Sequence, residues 1–311
     1  MSLGSASAPS DHRPLPTRFG VGASCVALPP GPWATIAQCL QARFPRVGTP
    51  EWDRRMAAGE VVDEHGVPVN GRRPHRAGLR VYYYRSVADE PAVPFRETVL
   101  YRDDLIVVAD KPHFLAVTPG GAHLQETLLV RLKRRLGVDS LVPVHRIDRE
   151  TAGVVMFALQ GTSGGAYQRL FAQRLMLKTY ECIAPAREDF REPRVHRSRL
   201  EPDTHFMRMR EVPGEPNAET RIEMIERRGA LARYRLTPLT GRRHQLRVHC
   251  AALGMPIVGD GLYPLLKPAG SDDHRLPLQL LARSLSYTDP ITYVARCHTS
   301  ARCLPWSAVD R

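Results

Sequence analysis

Lysine is scarce in this 311-residue chain. Lys111, Lys133, Lys178 and Lys267 are the only four, yet Lys and Arg together number 44 against 32 Asp and Glu. The surplus of positive charge is therefore almost all arginine, whose planar fork suits phosphates and base edges. No apolar run approaches the roughly 20 residues of a membrane-spanning helix, which excludes an integral helical membrane protein. The six cysteines (Cys25, Cys39, Cys182, Cys250, Cys297, Cys303) are scattered without a C-x-x-C pair. That spacing excludes a disulfide scaffold and a zinc ribbon, and fits a reducing, cytoplasmic setting. Cys297-His298-x4-Cys303 has no second ligand pair at finger-like spacing, so no metal is expected there. Gly-rich phosphate loops are absent, as is any internal repeat. The first ten residues lack the basic start and apolar core of a signal peptide.

What is present is a globular composition, 43% hydrophobic and 24% charged, on a chain long enough for a large domain and a small one. The net charge is +12, which attracts polyanions, nucleic acid foremost. A GC-rich genome accounts for part of the arginine bias but not for the net charge.

Small residues, Gly and Pro dominate to about residue 31, and residues 1–28 read as poorly ordered. Residues 29–88 read as a small module. Pro32 opens a helix, and Trp33, Ile36, Leu40 and Phe44 recur at helical spacing. A second helix runs from Glu51 to Ala58 and ends at Gly59. Short strands follow at Val61-Val62 and Leu79–Tyr84, with a hairpin turn at Asn70-Gly71. The module is either an RNA-binding accessory or a plain folding unit. Residues 86–95 form a linker with Pro91 and Pro94.

From residue 95 to 311 the signals are irregular. Strands are expected at Leu105–Ala109, Val154–Ala158, Thr179–Ala184, Arg221–Ile225, Leu231–Leu236 and Leu278–Leu281. Leu124, Leu128, Leu132 and Leu136 mark a helix with a basic exposed face, and Arg243–Ala252 marks another, closed by Gly254. Adjacent strands without intervening helices predict an α+β fold with a mixed, largely antiparallel sheet flanked by helices. The arginine-rich stretch 185–210, with five acidic residues interspersed, is either a solvated hairpin or an RNA-contacting surface.

The chemistry concentrates at His145-Arg146-Ile147-Asp148-Arg149-Glu150-Thr151-Ala152-Gly153, a polar turn that runs directly into an apolar strand. Alone, it reads as well as a structural ion-pair turn. Other blocks accompany it in order: Lys111-Pro112 before Thr118-Pro119-Gly120; Lys178-Thr179-Tyr180; Ala218-x-Thr220; Thr240-Gly241-Arg242-Arg243-His244-Gln245-Leu246-Arg247-Val248-His249; Gly254 through Asp260 to Tyr263; and Leu281-Ala282 with Leu285. With the H-R-x-D-x-x-T-x-G match of residues 145–153, these blocks make the chain resemble the RluA-type RNA pseudouridine synthases across residues 95–290. Residues 29–88 resemble, less specifically, the S4-like module of many members. Two departures stand out: His113-Phe114 where a Gly often follows the Lys-Pro pair, and Leu281 where His often precedes Ala.

The resemblance implies isomerisation of uridine to pseudouridine in ribosomal or transfer RNA, by a monomeric cytoplasmic enzyme with no cofactor, no metal and no membrane. Asp148 matches the essential aspartate; whether it attacks the sugar, attacks the base or promotes proton loss at C2′ stays open. Tyr180 matches the tyrosine that stacks on uracil, with a hydroxyl placed to take part in proton removal. Arg247 matches the arginine that orients the aspartate. Arg146 matches the residue that fills the gap left by an extruded base. His145, Lys111, Arg242 and His244 are expected on the RNA side of the site. His145 and Thr151 more simply shape the turn. His244 and His249, five apart, lack the i,i+4 spacing of a helical metal pair. Two other classes compete: a catalytically idle RNA-binding protein, and a hydrolase with Asp148 as general base. The first gives no reason for Asp148, Tyr180 and Arg247 together; the second lacks a partner carboxylate or metal set.

Overall fold

Residues 14–87, 89–159, 161–268 and 273–306 are described by the computed structural model. The chain divides into two units, one of residues up to Glu90 with Pro119–Gln125 and Lys133–Asp139, the other of the remainder. The division at residue 90 falls inside the linker expected at 86–95.

In the first unit, β1 (Ser24–Ala27) precedes α1 (Ile36–Arg43), α2 (Thr49–Ala57), β2 (Val61–Asp63) and β3 (Arg80–Tyr83). The three strands form an antiparallel sheet in the order β1-β3-β2. The expected disorder of residues 1–28 is thus corrected at its end, because Val26 and Leu28 are buried in the core of this unit. Residues 1–13 lie outside the described residues. Helix α1 begins at a Thr35 capping box with Gln38 rather than at Pro32, since the Thr35 hydroxyl takes an otherwise unpaired N–H of the first turn. Asn70 makes a turn with Arg73, but a longer excursion, not that turn, separates β2 from β3. Ile36, Leu40, Trp52, Met56, Val61 and Val81 pack together as the core.

The second unit carries β4 (Thr98–Arg102), β5 (Ile106–Lys111), the Leu128–Leu132 part of α3 (Leu128–Leu136), β6 (Val142–Pro143), β7 (Ala152–Ala158), α4 (Gly161–Ala172), β8 (Leu177–Pro185), β9 (Arg194–Pro202), β10 (Met209–Val212), β11 (Ala218–Arg228), β12 (Leu231–Pro238), α5 (Gln245–Ala252), β13 (Leu280–Thr288) and β14 (Ala295–Thr299). Most of these strands form one sheet in the order β10-β9-β11-β12-β8-β13-β7-β5-β4, with β14 on β13 and β6 on β7. Every pairing is antiparallel except β7 with β13. This is the mixed, largely antiparallel α+β sheet expected from the strand signals. All residues of β5 and β7 are buried, which explains why both read as continuous apolar runs rather than alternating ones. The 185–210 stretch forms most of the β9–β10 hairpin. Among the described residues no helix is long and apolar enough to cross a membrane.

One register places the chemistry. Ala282 of β13 pairs with Gly153 of β7 on one side and Tyr180 of β8 on the other. The turn that ends in Gly153 is thereby brought next to the strand that carries Tyr180. Gly153 has φ +114°, and a Cβ there would lie 2.2 Å from the Ala282 carbonyl oxygen. Only glycine lets the two backbones approach this closely.

Candidate active site

The turn at 145–151 is held by side chains that the rest of the fold immobilises. His145 accepts a hydrogen bond at Nε2 from the Met156 N–H (3.1 Å) and lies against the Phe171 ring. Burial, aided by the Lys178 charge, pushes its imidazole down to about 3, so it is neutral at physiological pH. Lys111 is fully buried and donates to the carbonyls of Pro112 (3.0 Å), Leu115 (2.7 Å) and Arg149 (2.9 Å). Burial lowers its ammonium to about 7 against the charges of Glu150 and Asp148, which raise it. His113 Nδ1 meets the Glu150 carbonyl at 2.6 Å, so a second side chain braces the next residue of the turn. Burial lowers His113 to about 4, which makes Nδ1 an N–H donor on a neutral ring.

Arg247, on α5, is the hub. Its Nε and Nη2 donate to the two oxygens of Asp260 at 2.9 and 2.6 Å, a bidentate pair in which both side chains are 1% exposed. The remaining edge donates from Nη1 to Asp148 Oδ2 (3.3 Å) and Glu150 Oε2 (3.4 Å). Burial acts to lower the Arg247 guanidinium, but the Asp260 hydrogen bonds and the three carboxylate charges outweigh it and hold it above its ordinary value. It is a fixed cation that aims the Asp148 carboxylate.

His244 stands at the N-terminus of α5 with φ 53°. Its Nδ1 lies 3.1 Å from the Tyr263 hydroxyl and its Nε2 3.8 Å from Asp148 Oδ1. Burial lowers its imidazole against the opposing pull of Asp148, so the ring faces the carboxylate largely uncharged. Burial and the Asp148 charge push the Tyr180 phenol above its usual range. These groups line a cleft of about 1410 Å³ together with Arg146, Lys178, Leu239, Arg242 and Arg243. That volume exceeds the roughly 300–1,000 Å³ of a small-molecule pocket, and its rim is arginine-rich. Arg146 is exposed, and its side chain makes no hydrogen bond or ion pair among the described residues. The Arg242 side chain donates to the Asn217 carbonyl (3.0 Å) and stays exposed at the rim.

Residues 105–252 match the family described as RNA pseudouridylate synthase. An uncharacterised RNA pseudouridine synthase of Synechocystis is 30% identical over 217 residues, spanning 68% of this chain and 73% of that protein. The dual-specificity RNA pseudouridine synthase RluA of Haemophilus influenzae is 32% identical over 208 residues, 65% of this chain and 91% of its own. The chain belongs to the RluA-type RNA pseudouridine synthases. Its fold agrees with that of human RNA pseudouridylate synthase domain containing 1, with a TM-score of 0.58 at 24% identity over 71% of this chain and 89% of that one. As a pseudouridine synthase it is an enzyme that isomerises uridine within RNA.

Within this synthase, Asp148, Tyr180 and Arg247 meet in one cleft, with Arg146, Arg242 and His244 around them. Lys111 is a correction. It was expected to face RNA, but it is 0% exposed and spends its donors on main-chain carbonyls, so it positions the turn instead. His145 lines the cleft, yet its Nε2 is committed to β7, which favours the turn-shaping role. Asp260 and Glu150 were not singled out, although both stand inside blocks that matched; a role behind another residue leaves no signal of its own in a chain. Thr220 and Thr240 also find their reason here. Gln245 donates to the Thr220 hydroxyl (2.9 Å) and accepts from that of Thr240 (2.7 Å), which fixes the start of α5 against β11.

Proposed function

We propose that this synthase acts on structured ribosomal or transfer RNA, flips the target uridine into the cleft and isomerises it with Asp148 as the essential carboxylate. The observation that carries the reading is the Arg247–Asp148 contact, backed by the buried Asp260 pair and set in the cleft that Tyr180 also lines. Arg247 engages Asp148 Oδ2, which leaves Oδ1 for the substrate. The reaction breaks the bond from uracil N1 to ribose C1′, turns the base and joins C5 to C1′. The C5 proton is lost and N1 ends protonated, so product and substrate are isomers and no redox or energy input is required. Asp148 Oδ1 either traps C1′ or takes the C2′ proton; both need the orientation that Arg247 imposes.

Tyr180 stacks on the uracil. Its phenol stays protonated at neutral pH, so in proton removal it acts as a relay that passes its own proton to solvent water in the cleft as it receives the one from C5, not as a phenolate. Arg146, exposed at the rim, replaces the flipped base in the stack and offsets part of the few kcal/mol of unstacking. In this reading the first unit is the S4-like RNA-binding module. It holds a groove of about 880 Å³ with the exposed Arg43 and Arg46 beside Phe44.

The test is tritium release from transfer and ribosomal RNA labelled at uracil C5 and lacking the modification. Wild type is expected to release tritium. Asp148→Asn is expected to release none while it binds RNA and folds as before. Equal release by both proteins would remove Asp148 from the chemistry, and RNA binding without release by wild type would favour an idle binder.

A further inference from the structure

A second polar cluster lies among β9, β10 and α5 and takes no part in the mechanism above. His196 of β9, Glu211 of β10 and His249 of α5 each present one ligand atom, and these atoms lie within 4.8 Å of one another. His196 Nε2 is 2.8 Å from Glu211 Oε1, and His249 Nε2 is 4.0 Å from the same oxygen. The two rings stand edge to face at 85°, with centroids 4.7 Å apart. Both imidazoles therefore direct Nε2 at one carboxylate oxygen, although the His249 separation is too long for a hydrogen bond.

From this geometry we propose that His196, Glu211 and His249 bind a divalent first-row transition metal, with Zn²⁺ the best match, and that the ion ties the β9–β10 hairpin to α5. Two imidazoles and one carboxylate form an established ligand set for such ions. At metal–ligand distances of about 2.0–2.2 Å, neighbouring ligand atoms of a tetrahedron stand roughly 3.3–3.5 Å apart. The present separations, from 2.8 Å to at most 4.8 Å, bracket that spacing. The outer shell is already in place: His249 Nδ1 is held at 2.9 Å by the Thr220 hydroxyl, the contact that fixes ring orientation in metal-ligating histidines. Ser198 Oγ lies 3.2 Å from His249 Nε2, and it or a water completes the fourth position. His249 is fully buried on a helix, whereas His196 and Glu211 are about a quarter exposed, so the site is rigid on one side and open on the other. On binding, the His196 Nε2 lone pair goes to the metal and a neutral ring carries its proton on Nδ1, so nothing is oxidised or reduced. Cys297-His298-x4-Cys303 offers no such arrangement, since among the described residues these side chains do not bring three ligand atoms together.

Tag-free, chelator-stripped full-length protein would be titrated with Zn²⁺ by calorimetry and with Co²⁺ by absorbance. One Zn²⁺ per chain is expected. The Co²⁺ complex should show visible d–d bands without a thiolate charge-transfer band in the near ultraviolet. His196→Ala and Glu211→Gln should each weaken Zn²⁺ binding at least about ten-fold, while Cys303→Ser leaves it unchanged. Absence of Zn²⁺ uptake by the wild type would overturn the proposal. So would a thiolate band, or affinity unaltered in both His196→Ala and Glu211→Gln. The Co²⁺ spectrum of the wild type stands even if a variant fails to fold.

Discussion

Arg247 makes one cation serve three carboxylates, and only one of the three faces the reaction. Asp260 has no exposure to spare, so truncating Arg247 to alanine leaves a buried charge uncompensated at about 3–5 kcal/mol of stability. Arg247→Lys keeps the charge but loses the fork that holds Asp260 and Asp148 together. We expect it to fold and to lose roughly 10²-fold in kcat with little change in KM, since the loss falls on orientation of the reacting group. Tritium-release kinetics measure this, and a KM effect without a kcat effect would count against the orienting role. The buried neutral histidines give a second residue-scale outcome. His145 and His113 sit at about 3 and 4 in the folded protein, against roughly 6.5 for an exposed imidazole. Between those values the unfolded chain binds the extra protons, so stability falls as pH drops from about 6.5 toward 4, by up to about 1.4 kcal/mol per pH unit for each ring. His145→Gln should flatten that slope in urea unfolding repeated across pH. Asp148 and Arg247 could be paired from the chain alone, because both stand in matched blocks. The burial of Lys111 could not, because a lone lysine reads as surface and only the folded path of three carbonyls around it reverses that.

At the scale of elements, the parallel contact of β7 with β13 makes the site. Gly153→Ala would force a side chain into the Ala282 carbonyl at a backbone angle alanine resists. A loss of at least about 2–3 kcal/mol is expected, read from denaturant midpoints. Activity should fall further than stability at temperatures where the variant is folded, because the turn and Tyr180 share that junction. The departure at Phe114 has a related explanation. Phe114 has φ 65°, in the left-handed region that favours glycine. Its strain of about 1–2 kcal/mol is offset by a buried ring packed on Phe95 and His274. The strands β5, β7, β8, β11 and β12 and the helix α5 were legible to within a few residues, whereas β1, β4, β14 and α4 were not, nor was the register that brings Ala282 between Gly153 and Tyr180. No local pattern encodes which strand sits between two others.

Across the whole molecule, the +12 charge and the arginine-rich rim predict RNA binding through phosphate contacts. Affinity should fall steeply and log-linearly with salt as counterions are released. The double variant Arg43→Glu, Arg46→Glu should reduce that slope and weaken binding, while turnover at saturating RNA persists. A slope and affinity equal to wild type would separate the first unit from RNA recognition.

The strand and helix signals by themselves determined the α+β class, and the family resemblance carried by the ordered motif blocks supplied the pseudouridine synthase class. The same resemblance pointed to Asp148, Tyr180 and Arg247, which the fold brings to one cleft. The tertiary structure alone decided which groups stand behind those three, that Lys111 faces inward, that His145 is tied to β7, and that His196, Glu211 and His249 converge. Those facts depend on burial and on contacts between residues distant in the chain, and desolvation, which sets both charge state and accessibility, has no local signature.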